Sequence, residues 1–144
     1  MRKVPKDIQL LIDGYGDQEK ILYEDDFFLV VEDPKHRNNA HYYYTAWCKE
    51  DLRSILDIEI KHLPLIQMLR RTLKMKYHIN EINSRQIIHF PPNFWRLHIH
   101  FISNELIKDV RCFAPHTHYL RTVISNIQND EEHYRTHVII KRHL

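Results

Sequence analysis

The segment FPPNFWRLHIHFIS (90–103) sets two imidazoles, His98 and His100, two residues apart in an apolar run. An imidazole with an ordinary pKa near 6.5 both offers a lone pair and moves a proton at neutral pH. Such a pair suits nucleophilic attack, metal ligation, or simple hydrogen bonding in a histidine-rich chain. With 12 histidines in 144 residues, about one His-x-His is expected by chance. A second one, His116-Thr117-His118, is in fact present. Spacing alone therefore selects none of the three, and the neighbouring residues must decide. In a β-strand alternate side chains take opposite faces, so Arg96, His98 and His100 share one face and Leu97, Ile99 and Phe101 the other. The apolar set can pack beneath a helix while the polar set faces an open site, which gives reactive groups a rigid back. The metal alternative is a zinc site built from His89, His98 and His100.

The elements that must position this strand follow from periodicity and turn residues. PKDIQLLIDGYG (5–16) begins like a short helix, with Pro5 early and Gly14 as its stop. KILYEDDFFLVVED (20–33) reads as two short strands around Glu24-Asp25-Asp26, and HYYYTAWC (41–48) as a third. Asp57 is the expected N-cap of the longest helix, 58–78, with Ile60, Leu63, Ile66, Leu69 and Leu73 on its buried face. Pro64 is expected to kink it, and Arg70, Arg71, Lys74 and Lys76 form a solvated basic face. RQIIHF (85–90) and FWRLHIHFIS (94–103) read as neighbouring strands. THYLRTVISNIQ (117–128) reads as a helix, and HYRTHVIIKRHL (133–144) as a final strand. Strands, one long helix and more strands predict an α+β fold with a mainly antiparallel sheet.

Composition bounds the function. At 144 residues the chain suits one domain with one hydrophobic core. A formal charge of +2 is too small for a protein that coats nucleic acid by neutralising phosphates. Glycine occurs only at 14 and 16, so no phosphate-cradling glycine loop exists and dinucleotide-fold and P-loop readings fall away. Cys48 and Cys112 are too few for a disulfide framework and read as reduced, packed thiols. No leader-like stretch opens the sequence, and the longest apolar run, FFLVV (27–31), is far too short for a membrane span. A soluble protein of the cytoplasm, with the nucleus as a second location, is expected, without membrane or DNA partners.

The frame around the histidines resembles the histidine-triad superfamily, and within it the scavenger mRNA decapping branch. HFPPNFWRLHIHF (89–101) repeats that branch's layout of an upstream histidine, a proline, two aromatic residues and the triad. RSILDIEIKHLPLIQML (53–69), FLVVEDPKH (28–36) and THYLRTVISNIQNDEEHY (117–134) resemble its other segments in the same order, so the likeness covers most of residues 20–140. The resemblance implies a histidine-triad-like fold: about five antiparallel strands, one long helix and a C-terminal helix, forming a single domain over 1–144. The family's separate N-terminal swapped domain has no counterpart in this sequence.

The resemblance also implies residue roles. His98 matches the nucleophile, His100 the third histidine, and His89 the upstream phosphate-contacting histidine. Asp33 and Lys35 match contacts to the methylated guanine and phosphates, while Asn93 and Phe94 match a Ser-Tyr pair at the pocket rim. Tyr43 matches a pocket tyrosine, and His116 stands where the family has a phosphate-contacting arginine. Arg96 replaces the first triad histidine; it can clamp a phosphate but cannot shuttle a proton. Asp17 or Glu19 is the expected acceptor for the guanine edge, Pro34 stands where an apolar residue sandwiches the base, and no stacking tryptophan falls near residues 5–12. The implied activity is cofactor- and metal-independent hydrolysis of a 7-methylguanosine cap dinucleotide or short capped RNA through a nucleotidyl-histidine, in a homodimer. The alternatives are a cap- or nucleotide-binding protein without turnover, and a broader hydrolase of dinucleoside polyphosphates or phosphoramidates.

Overall fold

The computed structural model describes residues 3–34, 41–106 and 116–136. Its centre is a six-stranded sheet built from β1 (Ile21–Glu24), β2 (Phe28–Glu32), β3 (Tyr43–Cys48), β4 (Ser84–His89), β5 (His98–Ser103) and β6 (Thr117–Tyr119), in the order β1-β2-β3-β5-β4-β6. Every neighbouring pair is antiparallel. The helices are α1 (Lys6–Ile12), α2 (Leu63–Tyr77), α3 (Leu120–Asn129) and α4 (His133–Thr136). The α+β expectation holds, with six strands where about five were expected. Among the described residues no helix is long and apolar enough to cross a membrane.

Local chemistry explains the connections. Asp25 makes the β1–β2 turn: its carboxylate accepts from the backbone N–H groups of Phe27 and Phe28 at 2.8 and 2.7 Å and from the Tyr23 hydroxyl at 2.9 Å. That is the Asx-type turn a glycine-poor chain must use. The long helix starts five residues later than the periodicity predicts, because 55–57 and 60–62 are separate 3-10 turns. Asp57 does not cap it; its carboxylate accepts from the Arg53 N–H at 2.7 Å. Pro64 lies in the first turn of α2, where no intrahelical N–H bond is lost, so it starts the helix and does not kink it. At the other end His78 takes a left-handed conformation (φ 57°), and the Ile79 N–H bonds the Leu73 carbonyl at 3.2 Å. This closes the helix in a Schellman-type cap.

Leu63, Ile66, Leu69 and Leu73 of α2 pack in one cluster with Leu97, Ile99 and Phe101 and with Val123 and Ile127 of α3. Ile60, expected on that face, is 48% exposed because the 3-10 turn rotates it outward. Arg70 likewise leaves the solvated basic face: its Nε donates to Gln86 at 3.1 Å and its guanidinium pairs with Glu81. The predicted helix over 117–128 begins as β6, and residues 133–136 form a helical turn in place of a strand. Cys48 is buried, which pushes its thiol up to about 12 and keeps it unreactive; Cys112 lies outside the described residues.

On the opposite face of the sheet, Ile8 and Leu11 of α1 cover Leu29, Val31 and Trp47. β5 is therefore buried on both sides along all six of its residues. Leu69→Ala should cost about 2–5 kcal/mol in urea denaturation. Ile60→Ala should stay within about 0.5 kcal/mol of the parent.

Candidate active site

The site is made where β3 and β4 flank β5. Cross-strand partners share a face, and the register pairs His98 with Trp47 and His100 with both Thr45 and Ile87. Leu97, Ile99 and Phe101 point to α2, so the expected division of faces is present. The strand itself begins only at His98.

His98 is held by its own backbone. Its Nδ1 lies 2.7 Å from the Arg96 carbonyl oxygen. A carbonyl only accepts, so Nδ1 carries the proton and Nε2 the lone pair. Burial lowers the pKa of this ring to about 4; the Arg96 carbonyl opposes that shift, and charge on His89 adds to it. At neutral pH the ring is thus an uncharged base of one defined tautomer. The Trp47 indole lies against it, with ring centres 4.3 Å apart and planes inclined 23°.

His100 stands beside it, with ring centres 5.0 Å apart, and shares a 3.0 Å hydrogen bond between Nδ1 and the Tyr43 hydroxyl. His89, on β4, brings its ring to 4.9 Å from that of His100. These three histidines open on a cleft of about 360 Å³, whose walls include Asp33, Pro34, Asn93 and Phe94 together with Asp7, Leu11 and Lys20. The volume suits a nucleotide-sized ligand. Among the described residues no group of three or more His, Cys, Asp or Glu is arranged to hold a metal ion.

The expected site residues thus divide. His89, His98, His100, Asp33, Asn93 and Phe94 converge on the cleft. Tyr43 does not line it; it is fully buried behind His100 and acts through that ring. Arg96 does not face it either. Its guanidinium donates to the carbonyls of Cys48 and Lys49 at 3.1 and 3.4 Å and lies 3.9 Å from Asp51. The alternation fails there because residue 96 precedes the strand. His116 lies one step further out, its ring 5.2 Å from that of His89. Lys35 lies outside the described residues. Asp17 caps a 3-10 turn by accepting from the Glu19 N–H at 3.2 Å, and neither Asp17 nor Glu19 lines the cleft. The carboxylates that do are Asp7, Glu32 and Asp33. Trp47, Asp7 and Lys20 were missed. Only the strand pairing of 47 with 98 and the fold of α1 over the sheet bring them in, and neither is local in sequence.

Known proteins resemble this chain in sequence and in fold. A family model described as "Scavenger mRNA decapping enzyme C-term binding" matches residues 9–112. The m7GpppX diphosphatase of Sus scrofa is 25% identical over 136 residues, covering 87% of this chain and 40% of its own length. That of Ascaris suum is 27% identical over 103 residues, 64% of this chain and 34% of its own. The chain thus spans well under half of these relatives. Among solved structures, a histidine triad protein from Clostridium difficile superposes with a TM-score of 0.54 at 18% identity, over 72% of this chain and 93% of its own. Hnt3 in complex with DNA and guanosine gives 0.59 at 15% identity, over 83% and 75%. These two show the fold.

The state of His98 is open to direct measurement. In an NMR titration its ring should titrate near pH 4 with Nδ1 protonated below and above that midpoint; a midpoint near 6.5 contradicts the geometry. Because the folded pKa lies below the unfolded 6.5, the unfolded chain binds more protons between those values. His98 therefore contributes stability that is complete above pH 6.5 and is lost as pH falls towards 4. His98→Asn should flatten the dependence of urea-denaturation stability across that window.

Proposed function

The chain belongs to the scavenger mRNA decapping enzyme C-terminal family, and from that membership we propose that it hydrolyses the 7-methylguanosine cap dinucleotide or short capped RNA. The observation that carries this reading is His98: a neutral, backbone-oriented imidazole whose Nε2 lone pair belongs to a nucleotide-sized cleft. Nε2 attacks the phosphorus bonded to the methylguanosine. The new P–N bond forms as the bridging P–O bond to the remaining nucleoside diphosphate breaks. The diphosphate departs with the bonding electrons, and water then cleaves the nucleotidyl-histidine, giving 7-methylguanosine monophosphate and restoring the lone pair. A covalent intermediate divides one difficult displacement into two easier ones.

The other residues take supporting parts. His100 shares its Nδ1 hydrogen bond with the Tyr43 hydroxyl, and in the tautomer in which Tyr43 donates, its Nε2–H serves as a donor to a phosphate oxygen. His89 is placed for a second donation, and Lys35 adds charge by family resemblance, with His116 behind His89. Asp33, Pro34, Asn93 and Phe94 form the end that takes the base, with Asp7 a further acceptor beside them. 7-Methylguanine is cationic, which suits the carboxylates of Asp7, Glu32 and Asp33 in the cleft. The reaction needs no metal, and the working unit is a homodimer in the cytoplasm.

Arg96 favours a second reading, a cap- or nucleotide-binding protein without turnover. It replaces a triad histidine, and its guanidinium is committed to backbone carbonyls outside the cleft. Cap dinucleotide incubated with the protein in EDTA discriminates. Release of 7-methylguanosine monophosphate, reduced about 10³-fold or more by His98→Asn, is expected. Tight binding with no product supports the second reading, and turnover only after metal is restored refutes the mechanism. Equal turnover of unmethylated substrate assigns a broader dinucleoside polyphosphate hydrolase.

A further inference from the structure

Trp47 is the aromatic residue of the cleft with no assigned role. It is only 6% exposed, sits directly across from His98 in the β3–β5 ladder, and lies nearly parallel to the imidazole at 4.3 Å. Its second contact is edge-on to Phe94, with ring centres 6.1 Å apart and planes at 76°. Ile8 and Leu11 of α1 and Leu29 and Val31 of β2 pack around it. The indole is therefore packed on several sides.

We propose that Trp47 is a positioning residue for His98, whose flat indole holds the imidazole in the plane where Nδ1–H meets the Arg96 carbonyl and Nε2 faces the cleft. The hydrogen bond alone resists rotation about the Cβ–Cγ bond only by its own modest net strength. A second constraint on the ring plane removes the remaining freedom before substrate arrives, which is how preorganisation raises a rate. An aromatic face also attracts an imidazolium. Here exclusion of water outweighs it, since burial keeps the ring neutral down to acid pH. The other groups facing His98 are His100 on β5, His89 on β4 and Thr45 on β3, with Asp7, Lys20, Glu32 and Asp33 in the walls of the same cleft.

This inference rests on His98 being the reactive group, but its test needs no substrate. Trp47→Leu keeps an apolar side chain and removes the flat face; Trp47→Phe keeps a flat face. In the Phe variant, ring ¹⁵N and ¹³C NMR of His98 should report the single Nδ1–H tautomer of the parent. In the Leu variant the same signals should broaden or report both tautomers, and kcat for cap dinucleotide should fall about tenfold with little change in KM. A folded Leu variant with one sharp Nδ1–H tautomer overturns the proposal, whatever the fate of turnover. Should the Leu variant fail to fold, the parent residue supplies the readout. In a Trp95→Phe protein the remaining indole should be quenched as His98 protonates, and His98→Asn should abolish that step. Trp47 emission indifferent to His98 overturns the proposal equally. Absence of cap turnover in the parent protein, alongside the expected change of tautomer in the Leu variant, would instead fall on the proposed reaction.

Discussion

The 2.7 Å hydrogen bond from His98 Nδ1 to the Arg96 carbonyl is the contact on which the site depends. It selects the tautomer and aims the lone pair, and it does so with a group that cannot itself titrate. The acceptor peptide is in turn held tightly. Leu97 N–H bonds the Leu52 carbonyl at 2.7 Å, Cys48 N–H bonds the Leu97 carbonyl at 2.9 Å, and the Arg96 guanidinium reaches the carbonyls that end β3. Arg96 thus serves His98 through its backbone while its side chain anchors that backbone. An arginine in the first position of the motif is then compatible with an oriented nucleophile, although it supplies no proton and no phosphate clamp.

Burial of β5 on both faces gives this arrangement its rigidity. Leu97, Ile99 and Phe101 lock into the α2–α3 side. On the other side Trp47 and the cluster under α1 close around His98. An imidazole placed there resists protonation because the charged form would have to give up water without a carboxylate to replace it. The same burial that stabilises the strand therefore keeps the His98 imidazole neutral.

Much of this was legible in the sequence because it depends on local spacing. The period-two division of 97–101 and the three-and-four spacing of Leu63, Ile66, Leu69 and Leu73 both gave the correct faces. Errors arose where tertiary contacts override the pattern. Arg96 obeys the alternation on paper, yet it precedes the strand, and nearby carbonyls capture its guanidinium. Ile60 fits the helical stripe, but Pro64 begins the helix after it. Tyr43 was expected in the pocket and lies behind it, because the register puts it opposite Ile102 and against His100. Trp47 carries no local signal at all, since its meaning comes from a partner 51 positions away in the chain.

The central claim is that His98 forms a bond to phosphorus. Its most direct test is to mix the protein with cap dinucleotide, quench in alkali, where phosphoramidates survive, and map the adduct by mass spectrometry. The account predicts a methylguanylyl group on the peptide that contains His98, absent from His98→Asn. Turnover without any adduct, or an adduct on another residue, would contradict it.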